Sequence, residues 1–190
     1  MKPDRLNAFT DGVVAIIITI MVLELPVPTE GGFDAIRPVL PLLGAYVLSF
    51  INVGIFWSNH HHMLQSAKRV NGAVLWANLF LLFCLSLIPF VIRWIDEVGI
   101  TAWPVAAYGL LLFLAAFAYI VLERTLMAAE GERSRVRAAV GSRLKEWLSF
   151  AAYALGVAAA FVVSPYLSVA LYIGISIVWL VPDRRFEAPA

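Results

Sequence analysis

The chain has 190 residues, of which 62% are hydrophobic and only 14% are charged, and its mean hydropathy is +0.85. Soluble domains have about 45–50% apolar and about 25% charged residues, so this composition excludes an ordinary soluble domain and indicates a membrane protein. The net charge of +1 identifies no partner, and we expect none among nucleic acids. A single cysteine, Cys84, excludes an intrachain disulfide.

The first predicted element opens with a polar signature and continues as an apolar run. Arg5, Thr10 and Asp11 precede the segment 12–23, which carries no charge and one hydroxyl, Thr19. A membrane-spanning helix needs about 20 apolar residues to cross about 30 Å of hydrocarbon. We therefore predict the first span near residues 8–27.

Further uncharged runs follow, and prolines mark where two of them bend or divide. Pro89 predicts a kink or an end late in the third span. The run 147–182 would be about 54 Å long as one helix, so we divide it at Ser164-Pro165. The sequence thus predicts an all-α, six-span membrane protein with one domain, 1–190, and spans near 8–27, 38–63, 71–94, 100–124, 144–163 and 166–182.

The positions of lysine and arginine support six spans. With six spans, all fourteen of these residues except Arg37 and Arg93 lie on the side of the two termini. Positive residues favour the cytoplasmic side, so both termini of this multi-pass protein are predicted to be cytoplasmic. A five-span arrangement would place Arg184 and Arg185 outside and break the asymmetry.

The polar connection 123–146 is typical of a solvated connector with charge pairs. A second interpretation is that its arginines bind an anionic lipid head group, and the candidates are Arg133, Arg135 and Arg137.

The stretch WSNHHHML, residues 57–64, contains all three histidines. Neighbours on a helix point about 100° apart, so three adjacent histidines cannot all face one ion. We favour a hydrogen-bonded His60 at the cytoplasmic end of the second span, with pH sensing as a weaker alternative. Asn52 and Asn78 lie within spans, where polar side chains face protein and find partners. Motifs of soluble catalytic domains are absent, and we expect no enzyme and no cofactor.

One stripe of the first span differs from the rest of that helix. At about 100° per residue, Ile16, Thr19, Ile20 and Leu23 share a narrow face, and Asp11 lies about 140° away. Periodicity alone favours ordinary lipid or helix packing for this stripe. A carboxylate at the membrane edge indicates a functional or network residue.

The segment Arg5-x-x-x-Phe9-Thr10-Asp11 resembles the RxxxFSD signature of the transmembrane protein 175 family, the endosomal and lysosomal potassium channels and their prokaryotic homologues. The resemblance continues through AIIITIMVLELPVP, SFINVGIFWSNHHHML and NLFLLFCLSLIPF, and so covers roughly the first half of the chain. Thr10 stands where serine is usual, but it keeps the hydroxyl.

The resemblance implies a homotetrameric potassium channel in which the first helix of each subunit lines the pore. The constriction then maps to Ile16, Ile20 and Leu23, and the selectivity layer, where K⁺ would bind, maps to Thr19. The signature residues would form a hydrogen-bond and packing network with the second and third helices, comprising Arg5, Phe9, Thr10, Asp11, Trp57, His60 and Asn78.

Because the sequence contains no TVGYG loop, a carbonyl filter is excluded. Hydroxyl groups are weak ligands, so they would favour potassium over sodium only modestly. Two alternatives stay open: a proton- or solute-coupled secondary transporter using Asp11 and His60, and a membrane enzyme or non-conducting scaffold. The short single-unit form indicates the plasma membrane of a prokaryote, with membrane lipid and further copies of the chain as partners.

Overall fold

The computed structural model describes residues 3–29, 31–131, 134, 136 and 143–180. Over these residues the regular structure is helical. The helices are α1 (Pro3–Leu23), α2 (Phe33–Ile36), α3 (Leu40–Ser66), α4 (Gly72–Ser86), α5 (Ile88–Val98), α6 (Ala102–Glu130), α7 (Leu144–Val162) and α8 (Pro165–Leu180).

The predicted all-α fold is confirmed, and each of the six predicted segments is helical. Five helical segments have the length and composition to cross a membrane: 3–23, 34–66, 72–98, 102–130 and 144–162. The sixth segment, α8, is apolar but has only 16 residues.

Prolines and glycines set the helix boundaries. α4 ends at Ser86 and α5 begins at Ile88 with Pro89 in its first turn, where a missing N–H costs nothing. α8 begins at Pro165, as the Ser-Pro pair predicts. α6 extends past the predicted boundary at 124 to Glu130, because polar residues do not end a helix. It ends at Gly131, whose φ of +75° favours glycine.

The helices pack as two connected groups. α1 packs against α3, α4 and α5, whereas α6 packs against α4, α5, α7 and α8. Contacts of α8 with α3 close the bundle. α1 therefore lies at one side of the fold, and α7 lies on the side of α6 away from it.

Tyr172 is the tightest packing point of the α6–α8 group. Its side chain is fully buried and lies against two glycines. A Cβ atom on Gly109 would lie 2.0 Å from the Tyr172 hydroxyl oxygen, and one on Gly156 would lie 2.3 Å from a ring carbon. Both positions must lack a side chain for α6, α7 and α8 to approach Tyr172 this closely.

Candidate functional site

α1 has two faces that differ in packing. One face is buried against α3, α4 and α5 and repeats every three or four residues, as a helix stripe must. Its members are Leu6, Thr10, Val14, Ile17 and Met21.

The opposite face of α1 carries branched aliphatic side chains that none of the described helices covers. Ile16 is 58% exposed, Ile20 is 41% exposed and Leu23 is 80% exposed. Thr19, the polar member of the predicted stripe, is exposed between them. The structure thus places all four predicted stripe residues on one uncovered surface.

The Thr19 hydroxyl is oriented by the helix itself. Its Oγ1 donates to the carbonyl oxygen of Ile16 at 2.9 Å. The only hydroxyl proton is used in this bond, so the side of Oγ1 that faces away from the helix offers lone pairs. A group of this kind can accept a hydrogen bond or ligate a cation.

A chain of hydrogen bonds fixes the N-terminal part of α1 to its neighbours. Nε1 of Trp57, on α3, donates to Oδ1 of Asp11 at 2.7 Å. Nδ2 of Asn78, on α4, donates to Oγ1 of Thr10 at 3.0 Å, and Oδ1 of Asn78 lies 2.6 Å from Nε2 of His60. We call these five residues the entrance network.

The geometry of the entrance network assigns the tautomer of His60. Oδ1 of Asn78 can only accept, so Nε2 of His60 must carry the proton. Nδ1 of His60 is buried and has no hydrogen-bond partner in the described part of the chain. Thr10, His60 and Asn78 are each at most 2% exposed, so water does not compete for these bonds.

Two predicted members of the signature do not join these bonds. Arg5 is exposed and Phe9 is 51% exposed. Neither takes part in the hydrogen bonds that join α1 to α3 and α4. Phe9 lies instead on the same side of α1 as the uncovered stripe.

The three histidines point in different directions. His60 faces inward to Asn78. The ring of His61 lies between Asn7 and Gln65: its Nδ1 is 2.9 Å from Nδ2 of Asn7, and its Nε2 is 2.7 Å from Nε2 of Gln65. His62 is exposed. Among the described residues there is no group of three or more His, Cys, Asp or Glu that could hold a metal ion.

The residues of the transporter alternative lie away from the uncovered stripe. Asp11 is bonded to Trp57, and His60 is only 1% exposed. Both therefore lie at helix contacts: Asp11 joins α1 to α3, and His60 joins α3 to α4.

A second polar cluster was not predicted as a unit. Nδ2 of Asn52 approaches the Tyr108 hydroxyl at 3.3 Å, and the hydroxyl oxygens of Ser49 and Tyr108 lie 3.1 Å apart. The Ser176 hydroxyl donates to Oδ1 of Asn52 at 3.0 Å. We call these four residues, which join α3 to α6 and α8, the central network. Asn52 within an apolar run is the sequence signal for it.

The C-terminal end of α1 is held by charges. Nε of Arg93, on α5, lies 3.9 Å from a carboxylate oxygen of Glu24. The same guanidinium contacts Asp96 at 3.5 Å and Glu97 at 2.6 Å. Its side chain is 52% exposed, so solvent weakens all three pairs.

The proposed lipid-binding arginines of the 123–146 connection lie outside the described residues. They are Arg133, Arg135 and Arg137.

Comparisons with known proteins find relatives of this chain among potassium channels. Residues 5–89 match the sequence profile of the family described as "Endosomal/lysosomal potassium channel TMEM175". A protein of Chryseobacterium sp. (strain P1-3) named a potassium channel is 48% identical over 98% of this chain and 97% of its own length. Another, from Streptomyces collinus, is 32% identical over 98% of both chains.

The fold also has a solved relative. The crystal structure of a lysosomal potassium-selective channel TMEM175 homolog from Chamaesiphon minutus superposes with a TM-score of 0.77. The match covers 95% of this chain and 97% of that chain at 24% sequence identity. At this identity the match establishes the shared fold.

Proposed function

Since this chain belongs to the TMEM175 family of potassium channels, we propose that it conducts potassium through a pore lined by α1. The chain is a multi-pass membrane protein, and we place it in a prokaryotic plasma membrane with both termini in the cytoplasm. Its bacterial relatives, which match over nearly their whole length, support this placement.

The observation that carries the proposal is the contrast between the two faces of α1. Its polar N-terminal residues are bonded to α3 and α4, while Ile16, Ile20 and Leu23 remain uncovered. A stripe of three large aliphatic side chains is unfavourable in water, so it indicates contact with lipid or with another subunit. Because these side chains share their stripe with the polar Thr19, we favour an arrangement in which the stripes of several subunits face a common pore axis.

One α1 helix cannot enclose a pore, so several copies must meet around an axis. Closed cyclic symmetry is the usual solution for identical subunits, and the family resemblance favours four. Rings of Ile16, Ile20 and Leu23 would then form a hydrophobic constriction that can close by dewetting.

The proposed selectivity layer is a ring of Thr19 hydroxyls. Because each hydroxyl proton is bonded to the Ile16 carbonyl, its oxygen can face the axis as an acceptor. Neutral oxygens replace part of a hydration shell weakly. Potassium gives up its water more readily than sodium, so the ring would favour potassium modestly.

The test is the bi-ionic reversal potential of the purified protein in planar bilayers, with potassium on one side and sodium on the other. Thr19→Val keeps the shape and removes the oxygen, and should move the reversal potential towards zero. Thr125→Val is the matched control, because Thr125 on α6 makes the same kind of bond, to the Leu122 carbonyl at 2.8 Å. Unchanged selectivity of the currents through Thr19→Val would contradict the proposed threonine layer. Flux that saturates and requires a proton gradient would favour the transporter.

A further inference from the structure

A groove runs between α6 and α7. Its charged end carries Arg124 and Arg143, and its deep end carries Phe113 and Phe150. The walls between them are completed by Phe117, Ile120, Glu146 and Trp147.

The length of this groove corresponds to one leaflet of a bilayer. Phe113 and Arg124 are eleven residues apart on α6, which is about 16 Å at 1.5 Å per residue. Half of a hydrocarbon core of about 30 Å is about 15 Å. An acyl chain that enters beside Arg124 therefore reaches Phe113 near the middle of the membrane.

The walls of the groove suit an acyl chain. Phe113 and Phe150 meet edge to face, with ring centroids 4.9 Å apart. Phe117 is 48% exposed and Trp147 is 69% exposed, although both lie on apolar helices. Tryptophan is common at the level of lipid head groups, which is where Trp147 lies relative to the two arginines.

Within the described residues, one guanidinium at the charged end has no ion-pair partner. Nη2 of Arg143 contacts Oε1 of the buried Glu123 at 2.5 Å, so this pair is neutral together. Glu146 has interactions of its own. Arg124 is exposed and makes no ion pair with any residue that the structure describes.

We propose that this groove binds one phospholipid of the surrounding membrane, with the phosphate diester at Arg124 and an acyl chain along Phe117 and Phe113. A guanidinium matches the geometry of phosphate oxygens, and basic pockets between membrane helices are suited to lipid head groups. A single exposed arginine holds a free anion poorly in water, so the acyl chain must supply part of the affinity. The groove lies on the side of α6 away from α1, and lipid binding there does not depend on conduction.

The experiment is a titration of the delipidated full chain with phosphatidylglycerol, followed by native mass spectrometry. Phosphatidylglycerol is the probe because its phosphate is its only charge. Arg124→Gln should weaken the tightest binding event about tenfold, which is the loss of one charge-assisted bond. Phe117→Ala should weaken it about fivefold through lost apolar contact.

The controls are Arg69→Gln, an exposed arginine on another connection, and Phe161→Ala, an exposed phenylalanine at the other end of α7. Both should bind like the unmodified chain. Equal losses in Arg124→Gln and Arg69→Gln would overturn the site, and so would equal binding of diacylglycerol, which lacks the phosphate. Displacement of the lipid by millimolar inorganic phosphate alone would show a simple anion site.

Discussion

The entrance network and the central network use the same chemistry in different surroundings. Each joins three helices through side-chain amides and hydroxyls, and Asn78 and Asn52 are the central residues. The central network lies between helices that also pack tightly around Tyr172. The entrance network holds a helix whose other face is uncovered.

This difference shows what each network must do. Where helices are surrounded by protein, close packing already fixes their positions, and hydrogen bonds add specificity. Within the described part of one subunit, α1 lacks neighbours on one side, so its rotation about its own axis depends on directed bonds at Thr10 and Asp11. We therefore expect damage to the central region to reduce stability, and damage to the entrance network to change conduction as well.

The largest expected effect is in the packing around Tyr172. Gly109→Ala forces a Cβ atom into the ring of a fully buried side chain and should lower the free energy of unfolding by about 3 kcal/mol. Gly174→Ala, on the same helix as Tyr172, meets no atom within 4 Å and should leave stability nearly unchanged. Thermal unfolding in detergent measures both. Equal stability of the two variants would show that Tyr172 can move aside.

The next effect compares the two networks directly. Asn78→Leu leaves the Thr10 hydroxyl and Nε2 of His60 buried without their bonds to Asn78 and should cost about 1.5 kcal/mol. Asn52→Leu should cost less, about 1 kcal/mol, because the Tyr108 hydroxyl keeps its bond to Ser49 and the Ser176 hydroxyl keeps its bond to the Tyr172 carbonyl. Only Asn78→Leu should also alter single-channel conductance, because only it releases α1. Unfolding and planar-bilayer recordings of the same preparations test the pair.

If Asn52→Leu changed conductance as much as Asn78→Leu did, the two networks would act as one unit. In that case the orientation of α1 would depend on the whole bundle.

The features that could be predicted from the sequence are those that depend on residues close together in the chain. Six apolar helical segments follow from uncharged runs, and the division at Ser164-Pro165 follows from local chain chemistry. The stripe on α1 follows from helix periodicity within one segment. The predicted span near 100–124 follows the apolar residues, whereas α6 continues to Glu130, where the positive φ of Gly131 ends it.

The entrance network could be predicted from the sequence better than the central network, because the central network depends on long-range contacts. The family signature indicates the residues that surround Thr10 and Asp11, although Arg5 and Phe9 lie outside the resulting bonds. Ser176 meets Asn52 across 124 residues, and no local pattern specifies that contact. The fit of Tyr172 between Gly109 and Gly156 likewise depends on three helices that only the assembled fold brings together.

The uncovered face of α1 provides a test of whether its side chains affect conductance without affecting stability. Leu23→Ala and Ile20→Ala should each raise resting conductance by widening the constriction. Because both side chains are exposed in the subunit, stability within one chain should change by less than about 0.5 kcal/mol. Val22→Ala is the control, since Val22 is 45% exposed and lies on a different side of the helix. Unchanged currents in both stripe variants would place the narrow part elsewhere.

The smallest expected effect is at the other end of α1. Arg93→Gln removes the exposed pairs with Glu24, Asp96 and Glu97, and should cost less than about 0.5 kcal/mol at low salt. At about 1 M salt the Debye length falls to about 3 Å, so the difference from the unmodified chain should shrink in unfolding measurements.

A loss above about 1 kcal/mol that persists in high salt would mean that Arg93 anchors α1 as firmly as Asn78 does. The expected result assigns unequal roles to the two ends of α1. Its N-terminal end is held by buried bonds at Thr10 and Asn78, whereas Leu23 precedes a weakly held end. Movement that widens or closes the constriction would then begin at Leu23, because displacement there breaks screened charge pairs and the apolar contacts of Met21 but leaves the buried bonds of the entrance network intact.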